Sequence, residues 1–179
     1  MKKKVLLIDG DILAYKIATS NEVSTHWGDG FWTLHCDETQ CKFDVDAKID
    51  DLGQSLEADD VMGIMATEPH PTEDRIIVSI DKDMRQIPAK VSRDGETVEN
   101  IPQRLADYWF MIQTLAGDST DGYNGLPNVG VKTAEKMIQR YTNVPLLDLW
   151  KIVVGAYKAK GFTKKEALQQ ARVAHILRH

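Results

Sequence analysis

Two widely separated apolar runs in this chain each stop at an aspartate. Lys4-Val5-Leu6-Leu7-Ile8 ends at Asp9-Gly10-Asp11, and Arg75-Ile76-Ile77-Val78-Ser79-Ile80 ends at Asp81-Lys82-Asp83. Continuous runs of this length, without the polar alternation of a half-exposed strand, predict buried strands of a parallel sheet. Between them the pattern predicts a helix over 12–20 and another over about 58–67, the second stopped by Pro69 and Pro71. Strands alternating with helices imply an α/β fold with a mainly parallel, Rossmann-like sheet. Ligands of such sheets collect at the carboxyl ends of the strands, where these aspartates stand.

The remaining signals divide the chain in two. Residues 31–36 and 41–45 read as a hairpin around Asp37-Glu38-Thr39-Gln40, and 89–99 as a hairpin turning at Asp94-Gly95. From Pro102 onward the pattern is helical. A first helix over 102–115 carries Leu105, Trp109, Ile112 and Leu115 on one side, followed by a glycine-rich loop and a helix over 131–141. Pro145 opens the next helix, to about Ala159, and Thr163-Lys164-Lys165-Glu166 is a capping box that opens the last. The expected organisation is therefore an α/β core over 1–101 and an all-helical subdomain over 102–179, with no internal repeat.

With 179 residues, 42% of them hydrophobic and 27% charged, the chain can bury a core of its own and is not a disordered polymer. No apolar run approaches the ~18 residues of a membrane span. Lys2-Lys3-Lys4 leads into Asp9 and Asp11 rather than a signal-peptide core, so a cytoplasmic protein is expected. Cys36 and Cys41 are too few for a disulfide scaffold.

Two more acidic groups sit at element boundaries. Glu57-Ala58-Asp59-Asp60 opens a helix that continues Val61-Met62-Gly63-Ile64-Met65, and Gly117-Asp118-Ser119-Thr120-Asp121-Gly122 follows the long helix. Each group alone also fits a plain structural role, because acids favour helix starts and turns. Four converging groups are harder to explain that way: carboxylates in apolar surroundings repel one another and need cations. Oxygen-only ligands select hard ions such as Mg²⁺ or Mn²⁺, and two such ions about 4 Å apart promote displacement at phosphorus.

The segment Gly125-Leu126-Pro127-Asn128-Val129-Gly130-Val131-Lys132-Thr133-Ala134 places glycines before and at a helix start. There the backbone can approach a phosphate closely, with Lys132 and Thr133 adding charge and a hydroxyl. A plain interhelical turn is the alternative. A nucleotide-binding loop of similar spelling must follow a strand, and this one lies between helices.

Charge is divided as well. Residues 151–179 carry seven Lys and Arg against one acid, net +6, while the first 150 residues hold 15 basic and 26 acidic side chains, net −11. An acidic body joined to a basic end fits a metal-loaded site beside an anionic substrate, and equally a solvated basic helix.

Taken in order, Leu7-Ile8-Asp9-Gly10-Asp11, Glu57-Ala58-Asp59-Asp60, Ser79-Ile80-Asp81-Lys82-Asp83-Met84-Arg85-Gln86, and Gly117-Asp118-x-x-Asp121 with Gly125-Leu126-Pro127-x-Val129-Gly130-x-Lys132-Thr133-Ala134 resemble the flap endonuclease and 5′→3′ exonuclease superfamily. Bacteriophage exonucleases and the 5′-nuclease domains of bacterial DNA polymerase I are the most similar branches. The resemblance covers residues 4–18 and 56–140. It implies a PIN-like core, a helix–three-turn–helix module on duplex DNA, and a bacteriophage source. It also implies that Asp9, Glu57, Asp59, Asp60, Asp81, Asp83, Asp118 and Asp121 hold two Mg²⁺ ions, for which Mn²⁺ can substitute. Gly125, Val129, Gly130, Val131, Lys132 and Thr133 would grip the duplex backbone, with a K⁺ ion in the same turn. Asp11 fits the acidic cluster less well as a direct ligand.

The implied activity is a metal-dependent, structure-selective 5′→3′ DNA exonuclease or flap endonuclease, acting as a monomer on double-stranded or 5′-flap DNA alongside replication proteins. A non-catalytic DNA-structure binder is the first alternative, although a pure binder has no need of so many acids. A PIN-type ribonuclease is the second, and the 125–134 module argues against it. The sequence departs from the family in one place. Members carry a further strand ending in aspartate and a basic helical arch before the Glu-Ala-Asp-Asp helix, and nothing in Asp37–Leu56 resembles them. The arch is deleted here or lies outside these 179 residues, with the join near Asp51–Ser55.

Other features carry weaker readings. Cys36 and Cys41 with His26 and His35 lack the spacing of a zinc site, and free thiols on a hairpin fit better. Trp27, Phe31, Trp32 and Tyr15 are expected to pack rather than stack on bases. His175 and His179 are given no role.

Overall fold

The computed structural model describes residues 2–9, 22–29, 31–35 and 57–179 of the chain. The expectations for Asp11, Tyr15, the 12–20 helix, Cys36, Cys41, the 41–45 strand and the arch region fall outside them. In chain order the elements are β1 (Lys3–Ile8), β2 (Val23–Gly28), β3 (Phe31–His35), α1 (Ala58–Thr67), β4 (Glu73–Val78), a 3₁₀ turn (Lys82–Gln86), β5 (Lys90–Ser92), β6 (Val98–Asn100), α2 (Gln103–Ala116), α3 (Val131–Ile138), α4 (Leu146–Ala159) and α5 (Lys164–Ala174).

The sheet order is β1-β4-β5-β6. β1 runs parallel to β4 with Leu7 opposite Ile77, β4 parallel to β5, and β5 antiparallel to β6 across the turn that holds Asp94. This is the mainly parallel α/β sheet expected from the two apolar runs. One detail differs: β1 is not buried on both faces, because Leu7 is buried while Leu6 and Ile8 are about half exposed. The strand pairs on one side only among the described residues, and alternate side chains point to opposite faces, so only the Val5 and Leu7 face meets the core. Strand β3 also has a partner that the pattern did not name. It pairs antiparallel with β2, which precedes it, around Asp29, whose φ is +50°.

The buried side chains form two clusters. One joins Leu7, Ile77, Met84, Ile87, Val91 and Ile101 from the sheet to Met62 of α1, Ala106 of α2 and Ile176 beyond α5. The other fills the helical half, with Met111, Ile112 and Leu115 of α2 against Ile138, Leu149, Val153, Tyr157 and Ala171. Helix α2 reaches both clusters and is therefore buried nearly all round rather than along the single stripe its periodicity implies, with Leu105 and Trp109 only partly covered. The capping box at Thr163 and Glu166 forms as expected. Among the described residues, no helix is long and apolar enough to cross a membrane.

Candidate metal centre and duplex-facing loop

Each acidic residue is delivered by a local backbone event. Strand β1 ends as the Asp9 N–H donates to the Val78 carbonyl at 3.1 Å, extending the parallel ladder by one residue and leaving the Asp9 side chain buried at the strand tip. Beside it, β4 runs out through Ser79. The buried Ser79 hydroxyl donates to Asp9 Oδ2 at 2.6 Å and accepts the Asp81 N–H at 3.0 Å. One side chain thus fixes the acids of both strands. Ser79 is a site residue to which the sequence pattern assigns no task; its signal is a hydroxyl in an otherwise apolar run.

Asp81 then caps the 3₁₀ turn, its Oδ1 accepting the Asp83 N–H at 2.8 Å. That turn tucks Asp83 inward, where Oδ1 is buried without a hydrogen-bond partner. Helix α1 begins at Glu57, and acids at its first turn suit the positive end of the helix dipole. Asp59 and Asp60 both line a cleft of about 500 Å³ together with Glu57, Asp83, Gln86, Asp121 and Tyr123; the far wall is formed by Arg172 to Ile176.

The third acidic element is a closed loop. Asp118 and Tyr123 exchange both backbone hydrogen bonds, at 2.9 and 3.0 Å, so the residues between them form a small ring hung on the end of α2. Gly117 and Gly125 make the ring possible. Both have positive φ, and a Cβ on either would collide with the backbone of the other strand of the crossing. The ring places Asp118 and Asp121 so that one carboxylate oxygen from each, and one from Asp83, lie within 4.8 Å of one another.

The electrostatics follow from this crowding. Burial, reinforced by Asp81, Asp9, Asp83 and Glu57, pushes the Asp59 carboxyl up to about 7. Burial and then Asp81 push Asp83 to about 6. Asp121 is raised by burial and by Asp118, and the buried Tyr123 hydroxyl is raised too. Asp118 goes the other way, because the Lys82 ammonium bonds its Oδ2 at 2.6 Å. An oxygen-only donor set, charged in part at neutral pH, with one buried oxygen unpartnered, fits a hard divalent cation. Asp9, Glu57, Asp59, Asp81, Asp83, Asp118 and Asp121 come together here. Asp60 lines the same cleft, but its Oδ1 accepts the Leu177 N–H at 2.8 Å.

The segment 125–134 behaves as two parts. Gly125 is held inside, its N–H donating to Gln170 Oε1 at 2.9 Å, and its lack of a side chain serves the crossing with Gly117. Leu126 and Val129 are core residues, and the Val129 N–H is spent on the Leu126 carbonyl at 3.1 Å. Pro127 and Asn128 are exposed between the core residues, and a continuous exposed stretch runs from Gly130, which has open space around its Cα, through Val131, Lys132 and Thr133 at the start of α3. The Thr133 N–H already bonds the Gly130 carbonyl at 2.9 Å. Gly130, Val131 and Lys132 hold the N–H groups that a helix start leaves without an internal partner.

No family model matches the chain. Among curated proteins it is similar to the exodeoxyribonuclease of Enterobacteria phage T3, with 30% identity over 154 residues, covering 69% of this chain and 50% of that protein. The exonuclease of Escherichia phage T7 is 30% identical over 153 residues, 69% of this chain and 51% of that protein. DNA polymerase I of Lactococcus lactis (strain IL1403) is 34% identical over 104 residues, 49% of this chain and 12% of the polymerase. The chain spans about half the length of the phage relatives it matches.

Proposed function

Because this chain belongs to the flap endonuclease and 5′→3′ exonuclease family, we propose that it hydrolyses phosphodiester bonds of DNA from 5′ ends or at 5′ flaps with two bound Mg²⁺ ions. The observation that carries this reading is the convergence of Asp83, Asp118 and Asp121, with Asp83 Oδ1 buried and unpartnered, beside Asp9, Asp59 and Asp81. Divalent ions in that cleft would activate a water and stabilise charge on the scissile phosphate and leaving oxygen.

The remaining work falls to the protein's own groups. Asp83 and Asp121 supply oxygens from two different elements, so an ion would lock the ring after α2 to the turn after β4. Ser79 holds Asp9 and Asp81 still. Gly130, Val131, Lys132 and Thr133 take the duplex backbone in a helix–three-turn–helix module, a grip that positions without reading sequence. A K⁺ ion in that module, a PIN-like classification of the sheet, the division near residue 101, and action as a monomer beside replication proteins complete the reading. Its test is incubation with 5′-labelled duplex and 5′-flap DNA in Mg²⁺ and in EDTA, for wild type and Asp81→Asn. Metal-dependent release of short 5′ products by wild type alone is expected, with DNA binding of the variant within a few-fold. Near-normal turnover by Asp81→Asn would remove the metal assignment.

A further inference from the structure

Helix α1 has ten residues, and helices shorter than roughly 12–15 residues are marginal without tertiary support. Its position must therefore come from what it touches. Met62 and Ala66 pack into the sheet cluster. A different stripe meets residues 175–179, which leave α5 in extended form and run back along α1. Asp60 Oδ1 accepts the Leu177 N–H at 2.8 Å, and Thr67 Oγ1 accepts the His179 N–H at 2.8 Å. Gly63 lies between them, and a Cβ there would collide with the Leu177 carbonyl oxygen. Positions 60, 63 and 67 follow the i, i+3, i+7 spacing of a single helix face.

The segment is anchored beyond α1 as well. Ile176 is buried in the sheet cluster, and Arg178 bonds Asp107 at 3.0 Å and also the Gln86 carbonyl. His175 packs edge-on against Phe110, its ring centroid 4.9 Å away. Neighbouring residues on a helix point about 100° apart, so although both line the cleft, Asp59 and Asp60 meet different partners. Asp59 interacts with Asp9, Asp81, Asp83 and Glu57, whereas Asp60 acts on His175.

We propose that Asp60 is a positioning residue rather than a metal ligand: its carboxylate clamps residues 175–179 along α1, and the clamp fixes the helix end that aims Glu57 and Asp59 into the cleft. The inference rests on the metal-centre reading above and reassigns one of its eight acids. It makes a distinction that a ligand role reverses, because an asparagine side chain still accepts the Leu177 N–H but is a poor substitute for a coordinating carboxylate.

The experiment uses the full chain and titrates Mn²⁺ by calorimetry, with hydrogen exchange followed at the Leu177 and His179 amides. Asp60→Asn should keep Mn²⁺ affinity within about threefold and both amides protected, while Asp60→Ala should lose protection and about tenfold in affinity, the usual cost of removing a supporting partner. Thr67→Val should weaken Mn²⁺ binding in the same direction, and Thr67→Ser should restore it, although neither side chain lies in the cleft. Equal loss of Mn²⁺ in Asp60→Asn and Asp60→Ala, with the amides still protected in Asp60→Asn, would overturn the assignment and return Asp60 to the ligands. Absence of Mn²⁺ binding by wild type would instead overturn the metal-centre reading, and this role with it.

Discussion

Where α2, α4 and α5 meet, buried polar groups find partners inside the fold. The Tyr157 hydroxyl donates to the Thr114 carbonyl at 2.6 Å, the Thr114 hydroxyl to the Phe110 carbonyl at 2.9 Å, and the Gly125 N–H to Gln170. In the acidic cleft the reverse holds. Asp83 Oδ1 and Gln86 Oε1 are buried without partners, and Asp59 and Asp83 are crowded enough to hold protons near neutrality. The helical half is satisfied by its own groups, whereas in the cleft proposed here as a metal centre a cation would supply what the fold does not. A site that binds strongly charged ligands is kept unsatisfied by the same contacts that keep its neighbour rigid.

The largest expected effect separates the two regions. Asp83→Asn should lower metal-dependent cleavage by about 10²-fold or more, the scale seen when one charge-stabilising group is removed, yet leave the metal-free protein at least as stable as wild type. A matching loss of thermal stability in that variant would show the cleft to be part of the scaffold. Gly125→Ala attacks the other side. Its positive φ and the blocked Cβ should cost about 2–4 kcal/mol of unfolding free energy, read in urea, although no carboxylate is replaced and only the ring that carries Asp118 and Asp121 is disturbed.

Next comes pH. The raised Asp59 and Asp83 carboxyls are protonated more readily in the folded than in the unfolded state, so their contribution is fully present below the unfolded value near 3.8 and is lost as pH rises through about 6 and then 7. Without divalent ions, the melting temperature should fall between pH 5 and pH 7.5 more in wild type than in Asp59→Asn, and Mg²⁺ should reverse the fall at pH 7.5. A wild-type profile that parallels the variant would mean the carboxyls are not strained. The smallest effect is at the surface proposed to face the duplex: Lys132→Ala should weaken DNA binding a few-fold on every sequence and reduce the salt dependence of log K by about one, with cleavage chemistry intact once bound.

What could be read from the sequence followed the range of the interactions involved. The acids after β1 and β4, the Glu57–Asp60 helix start and the capping box at Thr163 are encoded by neighbours in the chain, and they stand where the pattern placed them. The two-sided burial of β1 failed, because which face of a strand is covered depends on elements far away in sequence. The β2–β3 pairing carries a local signal in the sequence, because Asp29-Gly30 is a recognised hairpin dipeptide. The contacts of residues 175–179 leave no periodicity in the sequence for a further reason: they join backbone N–H groups to single side chains more than a hundred positions earlier, and Arg178 to Asp107 and the Gln86 carbonyl. His175, given no role from sequence, lines the cleft.

The crossing of Gly117 and Gly125 has a consequence for where DNA would be cut. It brings the two ends of the ring together, so Asp118 and Asp121 on one side and Gly130 and Lys132 on the other are set at a fixed interval by the crossing, the Gln170 bond and the buried Leu126 and Val129. With a duplex held at the second and a phosphate at the first, the crossing serves as a ruler. Lengthening the chain between Gly125 and Gly130 would then shift the position of the cut along the strand rather than abolish it.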